Sequence, residues 1–213
     1  MYLGISMDKK YDVSLDFDEE VEKLFRQGEY LDRGHNGVVY LLPGKKIIKI
    51  FYDKKICLKE AYTLKKAKGS KYFPKMTKYG DYYIIREMVD GIRLDKYIKK
   101  VGLTKDISRQ LYDLIKEFKR LKFTKLDIRC RDIYVDDKGN IRVIDPKDNY
   151  VRRREYPRHL MKGLEGVDAL ESFLENIKEF DRNVAKVWKS KIDKYFKLNI
   201  KWLGKKEAIK NLR

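Results

Sequence analysis

Phe123–Asn149, FTKLDIRCRDIYVDDKGNIRVIDPKDN, is the stretch that decides the fold. Two short apolar runs, Ile133–Val135 and Ile141–Ile144, flank Asp-Asp-Lys-Gly-Asn, and alternating apolar residues around a Gly-containing turn predict a β-hairpin. Asp127 and Asp132 stand just before the first strand, and Asp145 just after the second. Antiparallel pairing sets the start of one strand beside the end of the other, so the three carboxylates are expected to converge at one edge. Their mutual repulsion calls for an answering charge, which a divalent cation bound to a substrate phosphate would supply. Asp136 and Asp137, inside the turn, read as ordinary turn residues.

Asp127-x4-Asp132, a hairpin, then Ile144-Asp145-Pro146 resembles the catalytic and metal-binding loops of the protein-kinase fold, where an H-R-D-x4-N loop precedes a hairpin ending in D-F-G. The resemblance implies a two-lobed α+β fold, with an antiparallel-sheet N-lobe and a truncated, mainly helical C-lobe. It implies Mg²⁺ and ATP as cofactors. Asp127 then takes the catalytic position, Arg129 supplies charge for the γ-phosphate, and Asp132 and Asp145 hold the metal. Arg131 falls where some kinases carry an arginine. The sequence departs from the family in several places: Lys125-Leu126 replaces His-Arg, Asp132 replaces the metal-binding asparagine, and D-F-G becomes Asp145-Pro146-Lys147. No A-P-E follows, and only residues 146–213 remain after Asp145. The nearest likeness is to small atypical prokaryotic members, including lipopolysaccharide-kinase-like proteins.

Upstream, Val38–Leu42 and Lys46–Phe51 flank Pro43-Gly44 and predict a second hairpin. Gly34 and Gly37 match the second and third glycines of the kinase Gly-rich loop, where a close-lying backbone donates N–H groups to triphosphate. Asp32 takes the first glycine's place. Strand alternation sets Lys49 opposite Ile48 and Ile50, facing a cleft or water. A helix over 54–68 follows, and Glu60 is its lone carboxylate and the natural partner for Lys49. In the family such a pair holds the α- and β-phosphates. The hinge that contacts adenine through its backbone corresponds to Glu87–Val89, with Arg86 guarding the back of the pocket.

The resulting organisation is one domain over 1–213: an N-terminal extension over 1–28 with a helix over 16–27, an ATP-binding lobe over 29–89, and a reduced C-lobe over 90–213. Helices are predicted over 94–101, 107–121, 160–180 and 182–198, the third carrying the histidine-flanked start that has no partner spacing for His159. The last presents Val184, Val187, Trp188, Ile192, Tyr195 and Phe196 on one side and Lys186, Lys189, Lys191, Lys194 and Lys197 on the other, continued by Lys201, Lys205, Lys206 and Lys210.

A net charge of +18 suits polyanions, and a basic run at Arg152–Arg154 adds to it; a solvated lysine surface is the alternative reading. The basic C-terminal face is a candidate nucleic-acid contact without base-reading motifs. Two cysteines without CxxC spacing argue against a disulfide framework or a cysteine zinc site. With no long apolar run and no signal-like N-terminus, a cytoplasmic protein without membrane contact is expected. The expected activity is transfer of the ATP γ-phosphoryl group to a hydroxyl acceptor, a protein Ser or Thr. The alternatives are a pseudokinase acting as a binding module and a small-molecule or sugar kinase on the same fold.

Overall fold

Alternation in the first half of the chain builds a sheet with two unlike faces. The computed structural model describes residues 17–146 and 149–210, with side chains described as far as Leu198. The lead-in over 1–15, Asp16 and Lys147 lie outside the described residues, as do the side chains of Lys201, Lys205, Lys206 and Lys210. The chain forms two units, one of residues 17–91 with Arg142–Arg152 and a second of Ile92–Ile141 with residues 153–210.

In the first unit, α1 (Glu19–Phe25) is capped by Asp18, whose carboxylate accepts from the Val21 N–H at 3.0 Å. The strands β1 (Glu29–Gly34), β2 (Gly37–Leu42), β3 (Lys46–Phe51), β4 (Met76–Tyr79) and β5 (Tyr83–Glu87) form an antiparallel sheet in the order β1-β2-β3-β5-β4. Helix α2 (Lys54–Lys66) follows β3 and is capped by Asp53. Ile48, Ile50, Tyr83 and Ile85 make one apolar face with Val21 and Leu42. Phe17 and Phe25 seal it with edge-on ring contacts to Tyr83 and Tyr40 at 5.1 and 5.0 Å. The segment expected as an extension over 1–28 therefore supplies, through α1, part of this unit's core.

The second unit is mainly helical. It contains β6 (Ile92–Arg93), α3 (Leu94–Val101), α4 (Lys105–Arg120), a 3₁₀ turn at Cys130–Asp132 and β7 (Ile133–Val135). The turn after β7 leads into β8 (Ile141–Val143), and the small sheet has the order β6-β7-β8. Asp136 closes that turn by accepting from the Lys138 and Asn140 N–H groups at 3.0 and 2.7 Å, an Asx-type turn as read from the sequence. Leu111, Leu114, Ile115 and Phe118 line the buried face of α4.

One predicted helix, 160–180, is two: α5 (Arg158–Glu165) and α6 (Leu170–Phe180), separated where Asp168 takes a positive φ of 53°. The last helix, α7 (Arg182–Lys210), runs beyond its predicted end. Trp188 stacks on Phe173 at 6.1 Å, and Ile192 is fully buried. Val187, assigned to the apolar stripe, is exposed, and Ala185 takes the buried position instead. Among the described residues no helix is long and apolar enough to cross a membrane. The architecture is α+β, an antiparallel five-stranded sheet in the N-terminal part and helices in the C-terminal part, consistent with the kinase-like expectation.

Residues 142–152 join the first unit for identifiable reasons. Arg142 donates to the Glu87 carboxylate at 2.7 Å and to the Phe73 carbonyl at 3.2 Å. The Val143 N–H donates to the Tyr72 carbonyl at 2.8 Å.

Candidate functional site

Lys49 lies on β3, paired with Val39 of β2 and Ile84 of β5, and points away from the apolar face. Its ammonium donates to Glu60 Oε2 at 2.7 Å and to Asp145 Oδ1 at 3.2 Å, and stands 4.6 Å from the centre of the Phe51 ring. Lys49 is 9% exposed and Glu60 not at all. Three residues separated by 11 and 96 positions thus meet on one ammonium. Burial works against the charge on Lys49, but the Glu60 and Asp145 carboxylates outweigh it and hold the ammonium pKa above the ordinary lysine value. Burial first, against the pull of Lys49 and with the repulsion of Asp145, pushes Glu60 up to about 7.

Arg86 is buried beside this group. It donates to the carbonyls of Glu87 and Ile144 at 2.9 and 3.1 Å, and so ties the residue before Asp145 to β5. Burial lowers its pKa, opposed by the charges of Glu60 and Asp145. The Glu87 backbone is engaged on both sides, its carbonyl by Arg86 and its N–H by the Lys75 carbonyl at 3.0 Å. Val89 is buried.

The glycines differ in kind. Gly34 and Gly37 pair across a two-residue turn at His35-Asn36. Gly37 is buried with the β3 backbone directly behind it, whereas Gly34 is exposed with open space around it.

In the second unit the Asp127 carboxylate is fully buried. Oδ1 accepts from the backbone N–H groups of His159 and Leu160 at 2.8 and 3.4 Å, and Oδ2 lies 2.5 Å from His159 Nδ1. Asp127 therefore satisfies the first turn of α5, whose end groups have no partner within the helix. The same helix packs closely on the 3₁₀ turn, since a Cβ at Gly163 would stand 2.5 Å from Cys130 Sγ. The backbone of Leu126 donates to Arg154 O at 2.7 Å, and that of Arg154 to Thr124 O at 2.9 Å, which anchors one member of the basic run beside this loop. Arg129 and Arg131 are exposed, and the Asp132 side chain is 20% exposed, 4.0 Å from Arg131.

Among the described residues no three His, Cys, Asp or Glu side chains stand together as a metal-binding group. Asp127, one of the three carboxylates expected to converge, is committed to the start of α5. Cys57 and Cys130 are buried and unpaired, their thiols pushed up to about 12 by burial. On α7, Lys186, Lys194 and Lys197 are exposed, while Lys189 and Lys191 reach Glu171 and Glu155 at 3.2 and 3.1 Å.

Two residues escaped the sequence reading. His159 is the partner of Asp127, 32 residues away, and no local spacing marks such a pair. Arg142 was given no role; its bond to Glu87 spans 55 positions.

No protein-family model matches the chain. A similar protein is "Putative serine/threonine-protein kinase YrzF" of Bacillus subtilis (strain 168), 26% identical over 133 residues, 60% of this chain. The match covers 62% of that relative's length, less than two thirds. The likeness is thus a distant and partial one to a protein named as a kinase.

Proposed function

We propose that this protein transfers the γ-phosphoryl group of Mg²⁺-bound ATP to a hydroxyl, that of a protein serine or threonine. The observation that carries the reading is the buried Lys49–Glu60 pair with Asp145 on the same ammonium. A surface lysine gains little from such company, whereas a buried one held by two acids is oriented for phosphate.

Asp145, beside Lys49, keeps a partly exposed carboxylate, a hard oxygen donor of the kind Mg²⁺ accepts beside phosphate, so it fits the ion. When bound, the metal neutralises charge on the phosphates. Lys49 binds the α- and β-phosphates, Glu60 orients it, and Gly34 and Gly37 let the backbone approach the triphosphate. Arg129 supplies charge for the transferred group, and Asp127 serves proton handling at the acceptor. Adenine contact falls to the Glu87–Val89 segment, with Val89 favoured because the Glu87 backbone is engaged.

A second reading is a nucleotide-binding module that transfers nothing, and the burial of Asp127 favours it. Incubation with γ-labelled ATP, Mg²⁺ and a mixed protein acceptor separates the two. Label transfer by the parent and its loss in Asp145→Ala is expected. Binding of Mg²⁺-ATP with no transfer to protein, water or the chain itself would leave the second reading standing.

The pair also predicts a pH profile. Glu60 ionises near pH 7, so it holds Lys49 as an ion pair above that value and as a neutral acid below it. Turnover should climb through pH 7 and the climb should flatten in Glu60→Gln. Stability runs the other way. The folded state keeps a proton that the unfolded chain releases near its ordinary 4.5, so this contribution is complete below 4.5 and is lost as pH rises through about 7. Melting curves of parent and Glu60→Gln between pH 4.5 and 8 test the sign.

A further inference from the structure

The first unit carries a groove that none of Lys49, Glu60 and Asp145 lines. It measures about 820 Å³, within the roughly 300–1,000 Å³ of ligand-binding clefts, and lies among the end of α2, the loop that follows and β4. Leu64, Ala67, Phe73, Pro74 and Met76 supply its apolar lining. Its rim is basic: Lys65, Lys68, Lys71 and Lys75 are all exposed. We propose that this groove docks an extended, acidic segment of a partner polypeptide that carries apolar side chains. The inference does not rest on the phosphotransferase reading, because binding is read directly, whether or not phosphate is transferred.

Charge selects the occupant. Among the described residues Glu87 is the one acid in the lining, and its carboxylate is already engaged, accepting from Arg142 at 2.7 Å and from the Lys75 N–H at 3.1 Å. Lys78 is held by Asp18 and Glu20, each at 2.8 Å, and Lys71 stands 5.2 Å from the centre of the Tyr72 ring. Lys65, Lys68 and Lys75 form no ion pair among the described residues. Three unanswered ammonium groups around an apolar floor favour an occupant with carboxylates at its margin and aliphatic or aromatic side chains at its centre.

Strand position selects a polypeptide. β4 stands last in the order of the five-stranded sheet, so one side of its backbone has no strand neighbour among the described residues. All four residues of β4 line the groove, which brings edge and groove together. Such an edge accepts an added strand, whose main chain supplies hydrogen bonds while alternate side chains enter the groove. A second copy of this chain fits poorly. Pairing β4 with itself would set Lys75 and Lys78 among the same lysines, and charge of this kind is how exposed edges are kept from self-pairing. An acidic strand meets attraction where a copy meets repulsion. A small molecule fits no better, because clefts that hold one keep polar groups aimed at it, and here Arg142 and Glu87 bond each other and the Phe73 and Lys75 backbone.

A fluorescein-labelled peptide of leucines and a phenylalanine set among glutamates, titrated with the full chain and read by anisotropy, tests this. Lys65→Ala, Lys68→Ala and Lys75→Ala combined should weaken binding about tenfold, the scale of three exposed ion pairs lost together. A charge-matched control, Lys186→Ala with Lys194→Ala and Lys197→Ala on α7, removes as much charge from exposed positions elsewhere and should change binding less than about twofold. Met76→Gln leaves the net charge alone and should weaken binding about fivefold through loss of apolar contact. Hydrogen exchange at the amides of 76–79 should slow when the peptide is bound. The altered lysines are exposed, so both triple variants should melt with the parent. Equal losses in the two triple variants would mean attraction to net charge and would overturn the proposal. A parent that does not bind the peptide, an unchanged Met76→Gln, or slowed exchange at α7 instead of 76–79 would do the same. A single-stranded oligonucleotide that displaces the peptide and depends more strongly on the same three lysines would assign the groove to nucleic acid instead. Failure of the label-transfer assay would leave a positive docking result standing.

Discussion

Lys49→Met is expected to lower kcat/KM for Mg²⁺-ATP about 10²–10³-fold, the range for removing one preorganised charge or donor from a site of phosphoryl or acyl transfer. Methionine approximates the apolar stem, so the change removes the ammonium together with its 4.6 Å approach to the Phe51 ring. Cutting one partner from a buried ion pair ordinarily costs about 3–5 kcal/mol, because the other charge stays buried and alone. Here that penalty has an outlet. Glu60 already sits near 7, so taking up a proton at neutral pH is a small further step. The variant should melt close to the parent at pH 6.5 and fall behind it as pH rises, since keeping Glu60 protonated grows costlier above 7. Steady-state ADP release and thermal melts across pH 6–8.5 read both effects. A variant retaining more than a tenth of parental kcat/KM would remove Lys49 from the phosphate-binding role.

Lys49 and Glu60 were legible for reasons that can be stated. Strand alternation between Ile48 and Ile50 gave the direction of the lysine, and α2 offered a single acid to meet it. The hairpin at 133–143 was equally plain, because its turn needs Gly139 at a φ of 78° and Asp136 as an acceptor. Other features left no local trace. All six residues of β1 are exposed, so no apolar alternation marks it as a strand. β4 shows a half-buried alternation over only four residues, too short to lift it from the preceding loop. The break between α5 and α6 depends on one residue, Asp168, adopting a left-handed backbone that aspartate tolerates more readily than most. The partnership of Asp127 with His159 depends on where α5 docks, and docking is settled by Gly163 against Cys130, a tertiary fact. Local periodicity reports elements and their faces. It does not report which distant residue completes a buried charge.

That distinction matters most for the two glycines, which look alike in sequence and differ in the fold. Gly37→Ala should destabilise the protein by about 3 kcal/mol, at the upper end of overpacking effects. A Cβ there would lie 1.9 Å from the Ile50 carbonyl oxygen and 2.9 Å from its carbon, and these are backbone atoms of β3, the strand that carries Lys49. Nothing flexible can move aside. Either β2 lifts from β3 or β3 shifts, and a shift displaces the ammonium from Glu60. For a chain of this size the melting temperature should drop by about 6–12 °C, and activity should fall with it. Gly34→Ala meets nothing closer than the Gly37 carbonyl oxygen at 4.0 Å, and its stability should match or slightly exceed the parent's through reduced unfolded-state freedom. Its effect, if the loop lies over triphosphate, is confined to binding: a rise of about tenfold in the KM for ATP, or 1.4 kcal/mol. Loss of affinity in Gly34→Ala with an unchanged melt places the phosphates at the turn, whereas Gly37→Ala alone could not, because its requirement for glycine is already explained by the sheet. An unaltered KM in Gly34→Ala would move the triphosphate away from this turn and leave Lys49 to bind it without the loop.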